Sequence, residues 1–228
     1  MKKYFILTLS VILFSSLSVL AQHKNEWDIR LRAAAVVPQE SGTAGVIGGK
    51  PSLSNSFIPE LDFTYFFADN FSAELILGTT KHKVSTKASD LSAIGASSSA
   101  DVNLGKVWLL PPTLTLQYHL PVGNFKPYVG AGVNYTIFYN ADEGPVVKGI
   151  DYKNKFSFAA QLGFDYDISK TIFINADVKK LFLRTDVVVD ASNLTPAGNP
   201  SLSPVLQNIP AHVKIDPWII AVGVGKRF

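Results

Sequence analysis

The sequence contains no cysteine, and its single methionine is the first residue. A disulfide framework and thiol chemistry are therefore excluded. Its four histidines form no cluster, and Asp142-Glu143 is an isolated acidic pair, so neither supplies the ligand set of a metal site. Charge is also scarce: Asp, Glu, Lys and Arg make up 17% of the chain, less than a typical soluble domain carries. Beyond the N-terminal residues no apolar run is long enough for a spanning helix. Contact with a membrane would have to be made by strands. The glycine-rich run from Gly42 to Gly49 lacks the strand-to-helix setting of a phosphate loop, and no cofactor is expected.

Met1 to Ala21 has the grammar of a secretory signal peptide. Lys2 and Lys3 are followed by the apolar stretch Tyr4 to Leu20, with modest side chains before a cut near Ala21. One mature domain, residues 22–228, is expected to have left the cytoplasm. Without Lys2 and Lys3 the 21 basic residues fall to 19 against 18 acidic ones. The pI of 8.9 thus belongs mostly to the precursor, and no basic stripe points to nucleic acid.

What the chain does have is alternation. In Phe125 to Tyr139, Val129, Ala131, Val133, Tyr135, Ile137 and Tyr139 form one face, while Tyr128, Gly130, Gly132, Asn134, Thr136 and Phe138 form the other. Period two marks a strand, and the length suits a tilted crossing of a bilayer with aromatics at both interfaces. The same pattern recurs in Trp27–Val37, Phe57–Phe67, Phe71–Thr80, Val107–Leu120, Phe156–Asp167, Thr171–Thr185 and Val213–Phe228. Connections alternate between tight turns, such as Ala68-Asp69-Asn70, and long loops such as Lys81 to Lys106 and Asp186 to His212. The expected fold is all-β, an eight-stranded antiparallel transmembrane β-barrel with short periplasmic turns and long extracellular loops.

In lipid every backbone group must be paired within the protein, so the sheet closes and its apolar face turns outward. The other parity then faces a lumen just wide enough for side chains to fill. It places Arg30, Arg32, Asp62, Gln117, His119, Asp165 and Asp177 in the middle and lower lumen as a self-pairing plug. Val36, Ile58, Leu109, Phe138, Leu181 and Leu183 fall in the upper lumen, as an apolar cup for a hydrophobic solute or as packing for the loop bases. Pro111 and Pro112 cannot donate to a ladder, so they either open a lateral gap or bend the strand where it leaves the membrane.

Four stretches resemble the outer-membrane protein W (OmpW) family of small eight-stranded barrels. They are Leu110-Pro111-Pro112-Thr113-Leu114 running into Gln117-Tyr118, the PYVGAGVNYT run from Pro127 to Thr136, Asp216-Pro217-Trp218, and the closing Gly225-Lys226-Arg227-Phe228. They occur in the same order across the mature chain, and the departures lie in the loops, chiefly Ser85 to Asn103 and Asp190 to Pro210. The resemblance implies an apolar pocket open to the outside, blocked on the periplasmic side, which passes small hydrophobic molecules and releases them between strands. Expected partners are outer-membrane lipid, such solutes, and the barrel assembly machinery acting through Phe228, where Lys226 replaces the usual second apolar residue.

Two alternatives remain open at this level. One is a structural, adhesive or receptor barrel that works through its loops. The other is a lipid enzyme, which would draw on His82 or His212 near the outer rim. His23 and His119 lie elsewhere, and the loop serines, Ser85 among them, form no fixed constellation with a base, so no catalytic activity is expected.

Overall fold

The computed structural model describes residues 24–44, 48–92, 95, 98–195 and 198–228. The expected signal peptide, Met1 to Ala21, lies outside the described residues. In chain order the strands are β1 (Trp27–Val37), β2 (Ser41–Ala44), β3 (Lys50–Leu53), β4 (Ser56–Ala68), β5 (Phe71–Gly78), β6 (Thr80–Ser89), β7 (Ala100–Leu110) and β8 (Thr113–His119). They continue with β9 (Phe125–Glu143), β10 (Gly149–Tyr152), β11 (Lys155–Asp167), β12 (Ile172–Phe182), β13 (Arg184–Asp190), β14 (Ile209–Lys214) and β15 (Trp218–Arg227). A short helix, α1 (Ser203–Gln207), precedes β14.

Strands β1, β4, β5, β8, β9, β11, β12 and β15 pair antiparallel in that order, and β15 returns to β1, which closes an eight-stranded barrel without an edge. The apolar parity faces outward, with Leu116 62% and Phe158 72% exposed. In a bilayer this surface meets hydrocarbon. Aromatic pairs mark its borders. Trp27 packs on Tyr65 with ring centroids 4.8 Å apart at the short-turn end, and Trp108 lies 6.2 Å from Tyr139 at the other. Lys180 sits 4.8 Å over Trp218 at the same upper border, cation above ring.

The long connections at the upper end carry secondary structure of their own. Lys81 to Lys106 is largely the β6–β7 hairpin, which carries the barrel wall upward beside β3 and the top of β9. Asp186 to His212 carries most of β13, α1 and the start of β14, and joins a second sheet in the order β10-β13-β14-β2. The expected single strand Val107–Leu120 is likewise interrupted at Pro111-Pro112 and divides into β7 and β8. A bulge sits within β7. Gly105 has φ +110°, and a Cβ there would run into the Asp142 carbonyl. That conformation and that approach suit glycine alone, and the bulge re-aims the strand so that Leu104 and Val107 both point inward.

Candidate functional site

The inward residues of β1 show how the lumen is layered. From the short-turn end they read Asp28, Arg30, Arg32, Ala34 and Val36, all buried. Charge gives way to hydrocarbon between Arg32 and Ala34. Strand β12 rises in parallel, reading Phe173, Asn175, Asp177, Lys179 and Leu181, so its change of character falls between Lys179 and Leu181.

Below that level the cations and carboxylates interlock. Arg30 donates to Glu74 at 2.7 Å and to Asp165 at 3.0 Å. Arg32 pairs with Asp177, lies 2.5 Å from Asp62 and reaches Glu60 at 3.3 Å. Lys179 directs its ammonium protons at Glu60, 2.8 Å and 3.1 Å from its two oxygens, and at Asp177, 3.2 Å away. Gln117 donates to Glu74 at 2.6 Å, and His119 Nε2 lies 3.0 Å from the Ser72 hydroxyl. All seven residues expected in the plug are therefore buried within one connected network. Its charges belong together: removing one member of such a pair costs about 3–5 kcal/mol because the partner is left desolvated and alone. Space for the large side chains comes from small residues paired with them on the neighbouring strand. A Cβ on Gly225, for example, would enter the Phe173 ring.

Above the plug lie two chambers. The lower, about 40 Å³, is lined by Val36, Ile58, Leu109, Leu181 and Leu183, five of the six residues expected in the cup. The sixth, Phe138, lines the upper chamber instead, about 270 Å³ in volume, where its ring stacks on Tyr152 with centroids 5.3 Å apart. The structure thus splits the expected cup in two. Leu53 and Ile215 line both chambers and mark the boundary between them. The upper walls, missed by sequence reasoning, include Val84, Val102, Val187, Val189, Leu206 and Ile209 from the strands and helix found inside the expected loops. Val187 and Val189 stand with Val188 in an uninterrupted β-branched run between Asp186 and Asp190, a strand signal that the surrounding Asn, Pro, Ser and Gly residues outweigh. Burial there pushes the Tyr152 phenol well above its ordinary pKa.

A polar stripe interrupts the wall of the lower chamber. His82, above the aromatic border, has Nδ1 2.5 Å from the Ser54 carbonyl and Nε2 2.8 Å from the Thr80 hydroxyl. Burial holds its pKa below the ordinary histidine value, against the opposing pull of the Ser54 carbonyl and Glu40. His212 is occupied differently, by Asp186 at 2.6 Å on the exposed rim. The two histidines weighed for catalysis therefore have separate partners.

The same wall contains a seam. Pairing between β5 and β8 ends at Ile76–Thr113 and resumes between β6 and β7 at Thr80–Leu109. In the interval the Thr79 hydroxyl donates to the Leu109 carbonyl at 3.2 Å. On the other side of the proline pair the wall is held by β9. The Tyr135 amide bonds the Pro112 carbonyl at 3.1 Å, and Asn134 Nδ2 reaches the Pro111 carbonyl at 2.9 Å, the Pro112 carbonyl at 3.2 Å and Thr113 Oγ1 at 2.9 Å. Asn134 is a second residue missed by the sequence reading, where it registered only as an inward polar position. Pro111 lines the lower chamber directly beside the seam.

Comparison with known proteins matches this architecture. The OmpW family model covers residues 24–228. An uncharacterised outer-membrane protein, y4mB of Sinorhizobium fredii, is 45% identical over 204 residues, covering 89% of this chain and 80% of the relative. The dibenzothiophene metabolism operon protein PahQ of Pseudomonas aeruginosa is 32% identical over 188 residues, covering 80% of this chain and 77% of its own. The crystal structure of the outer membrane protein OprG from Pseudomonas aeruginosa superposes with a TM-score of 0.78 at 26% identity, covering 92% of this chain and 99% of that one. With its barrel closed, its apolar belt outward and the family model spanning the described domain, this chain is a Gram-negative outer-membrane protein and belongs to the OmpW family.

Proposed function

We propose that the protein takes small hydrophobic molecules from outside the cell, holds them in the two stacked chambers, and releases them sideways into the membrane through the seam at Pro111 and Pro112. The observation that carries this reading is the layering of the lumen. An apolar cavity of about 270 Å³ leads down to a floor of interlocked charges, so a greasy solute finds a site but no straight route through. A cavity this size approaches the range of small-molecule sites. The pairing gap beside the lower chamber supplies the sideways route. PahQ, a relative whose name associates it with dibenzothiophene metabolism, is in keeping with an apolar aromatic cargo. A transport barrel rather than an enzyme also agrees with family membership. Assembly into the membrane would use Phe228, exposed at the end of β15, as the feature read by the assembly machinery.

The test is equilibrium binding of an apolar fluorescent probe to barrel refolded in lipid vesicles. The wild type should bind saturably. Val187→Glu in the upper chamber and Leu181→Glu in the lower, each first shown to fold, should weaken binding by about tenfold or more, since each places a carboxylate among hydrocarbon walls. Absent binding, or binding indifferent to both changes, would leave a scaffold that acts through its outer surface.

A further inference from the structure

The lower chamber is not uniformly apolar, and the direction of its hydrogen bonds is informative. Its wall includes the hydroxyls of Thr80, Thr113 and Thr136, together with Glu60 and Lys179 at the floor. Each of these donors is already committed. A carbonyl can only accept, so the 2.5 Å contact between His82 Nδ1 and the Ser54 carbonyl places the imidazole proton on Nδ1. In the neutral ring Nε2 is then an acceptor, and Thr80 must donate to it at 2.8 Å. Thr113 donates to the Pro111 carbonyl at 3.0 Å, and Thr136 to Asn134 Oδ1 at 2.6 Å. The Asn134 amide group in turn points at the Pro111 and Pro112 carbonyls and at Thr113 Oγ1. Lys179 spreads its three protons over Glu60 and Asp177.

What remains for a guest is acceptor capacity: lone pairs on the Thr80 and Thr136 oxygens, and on a Glu60 carboxylate that already sits in a cluster of surplus negative charge. Arg30, Arg32 and Lys179 are cationic, while Glu60, Asp62, Glu74, Asp165 and Asp177 are acidic. We propose that the lower chamber is a subsite for a hydrogen-bond-donating head, so that the preferred solute is a hydrophobic alcohol whose chain fills the upper chamber and whose hydroxyl donates to the Thr80 and Thr136 oxygens in a shared bond. Ethers, which carry the oxygen without the proton, and carboxylates, which would meet acceptors and surplus negative charge, are disfavoured. The chamber volume of about 40 Å³ admits a small terminal group and little more. This assignment rests on the uptake reading above and gives it a chemical class.

The experiment is displacement of a bound apolar fluorescent probe from vesicle-embedded barrel at neutral pH, with every competitor concentration corrected for partition into lipid. The competitors are n-decanol, its isomer methyl nonyl ether, and decanoate. The expected order is n-decanol first, by about three- to tenfold over the ether, the range set by one net hydrogen bond, with decanoate weakest. Thr80→Val and Thr136→Val should each shrink the preference for decanol while leaving the affinity for the ether unchanged, and Thr80→Ser should restore it at that position. Equal displacement by decanol and ether in the wild type overturns the donor-head assignment while leaving uptake intact. Decanoate binding best overturns it too and makes Lys179 the recognising group. A preference for decanol that survives both valine variants also overturns it. Displacement by none of the three overturns both this inference and the uptake reading.

Discussion

Asn134 commits its whole side chain to the break in the barrel wall. Its amide group serves two proline carbonyls and Thr113, while Oδ1 accepts from Thr136 at 2.6 Å and Ser157 at 3.2 Å. Replacing it with leucine removes its bonds to both proline carbonyls and leaves the Thr136 and Ser157 hydroxyls without this acceptor in a buried wall, and should destabilise the barrel by about 1–3 kcal/mol. The measurement is a lower urea midpoint for the vesicle-embedded protein at unchanged slope; an unmoved midpoint would show that water or lipid replaces the bonds at no cost. Period two told that Asn134 points inward, as it did for Arg30, Arg32 and Asp177. It could not tell what Asn134 holds, because the proline carbonyls it bonds lie more than twenty residues away in sequence, across a strand pair. His82 carries a second prediction at this scale. Its folded pKa lies below the ordinary 6.5, so the folded extension binds fewer protons than the unfolded chain. Stability is then independent of this group well above that value and declines as pH falls through it. Hydrogen exchange at the β3–β6 contact, read at the Lys83 amide that donates to Ser54 Oγ at 2.9 Å, should therefore be faster at about pH 5 than the intrinsic rate change allows, relative to about pH 7. Greater protection at the lower pH would contradict the neutral assignment.

The seam between β5–β6 and β7–β8 owes its existence to two residues without a backbone proton. Pro111→Ala with Pro112→Ala restores the missing donors, and one backbone bond formed across the seam adds about 0.5–1.5 kcal/mol to the closed wall. Transfer of an apolar probe from the chambers to the bilayer should slow by roughly two- to tenfold while equilibrium binding is retained, which stopped-flow quenching by a lipid-bound acceptor would read. Unchanged transfer would mean the solute leaves by another path. All eight barrel strands were legible because lipid on one side and a packed lumen on the other enforce strict alternation over their whole length. Above the membrane border that constraint relaxes. The β6–β7 hairpin keeps its alternation only until the bulge at Gly105 shifts parity, and β13 and β14 are separated by a stretch of Asn, Pro, Ser and Gly that reads as loop. Their inward valines and isoleucine form the larger chamber all the same.

Taken whole, the molecule is a closed cylinder with a sealed lower half and an apolar upper half that continues beyond the membrane. Sealing follows from arithmetic within the lumen: large charged side chains fill a bore of eight strands, opposite residues such as Gly223 and Gly225 make room for Arg32 and Phe173, and every cation has carboxylates in reach. Seal and seam together define the route of the solute, and both can be tested in vesicles reconstituted with the wild-type barrel. Two signals are followed in one preparation: the rate at which an externally added apolar probe reaches the bilayer, and the release of a small polar dye trapped inside. Delivery of the apolar probe is expected to be faster than in protein-free vesicles, with dye release at the protein-free level. Dye release through the barrel, or delivery no faster than without protein, would contradict this route.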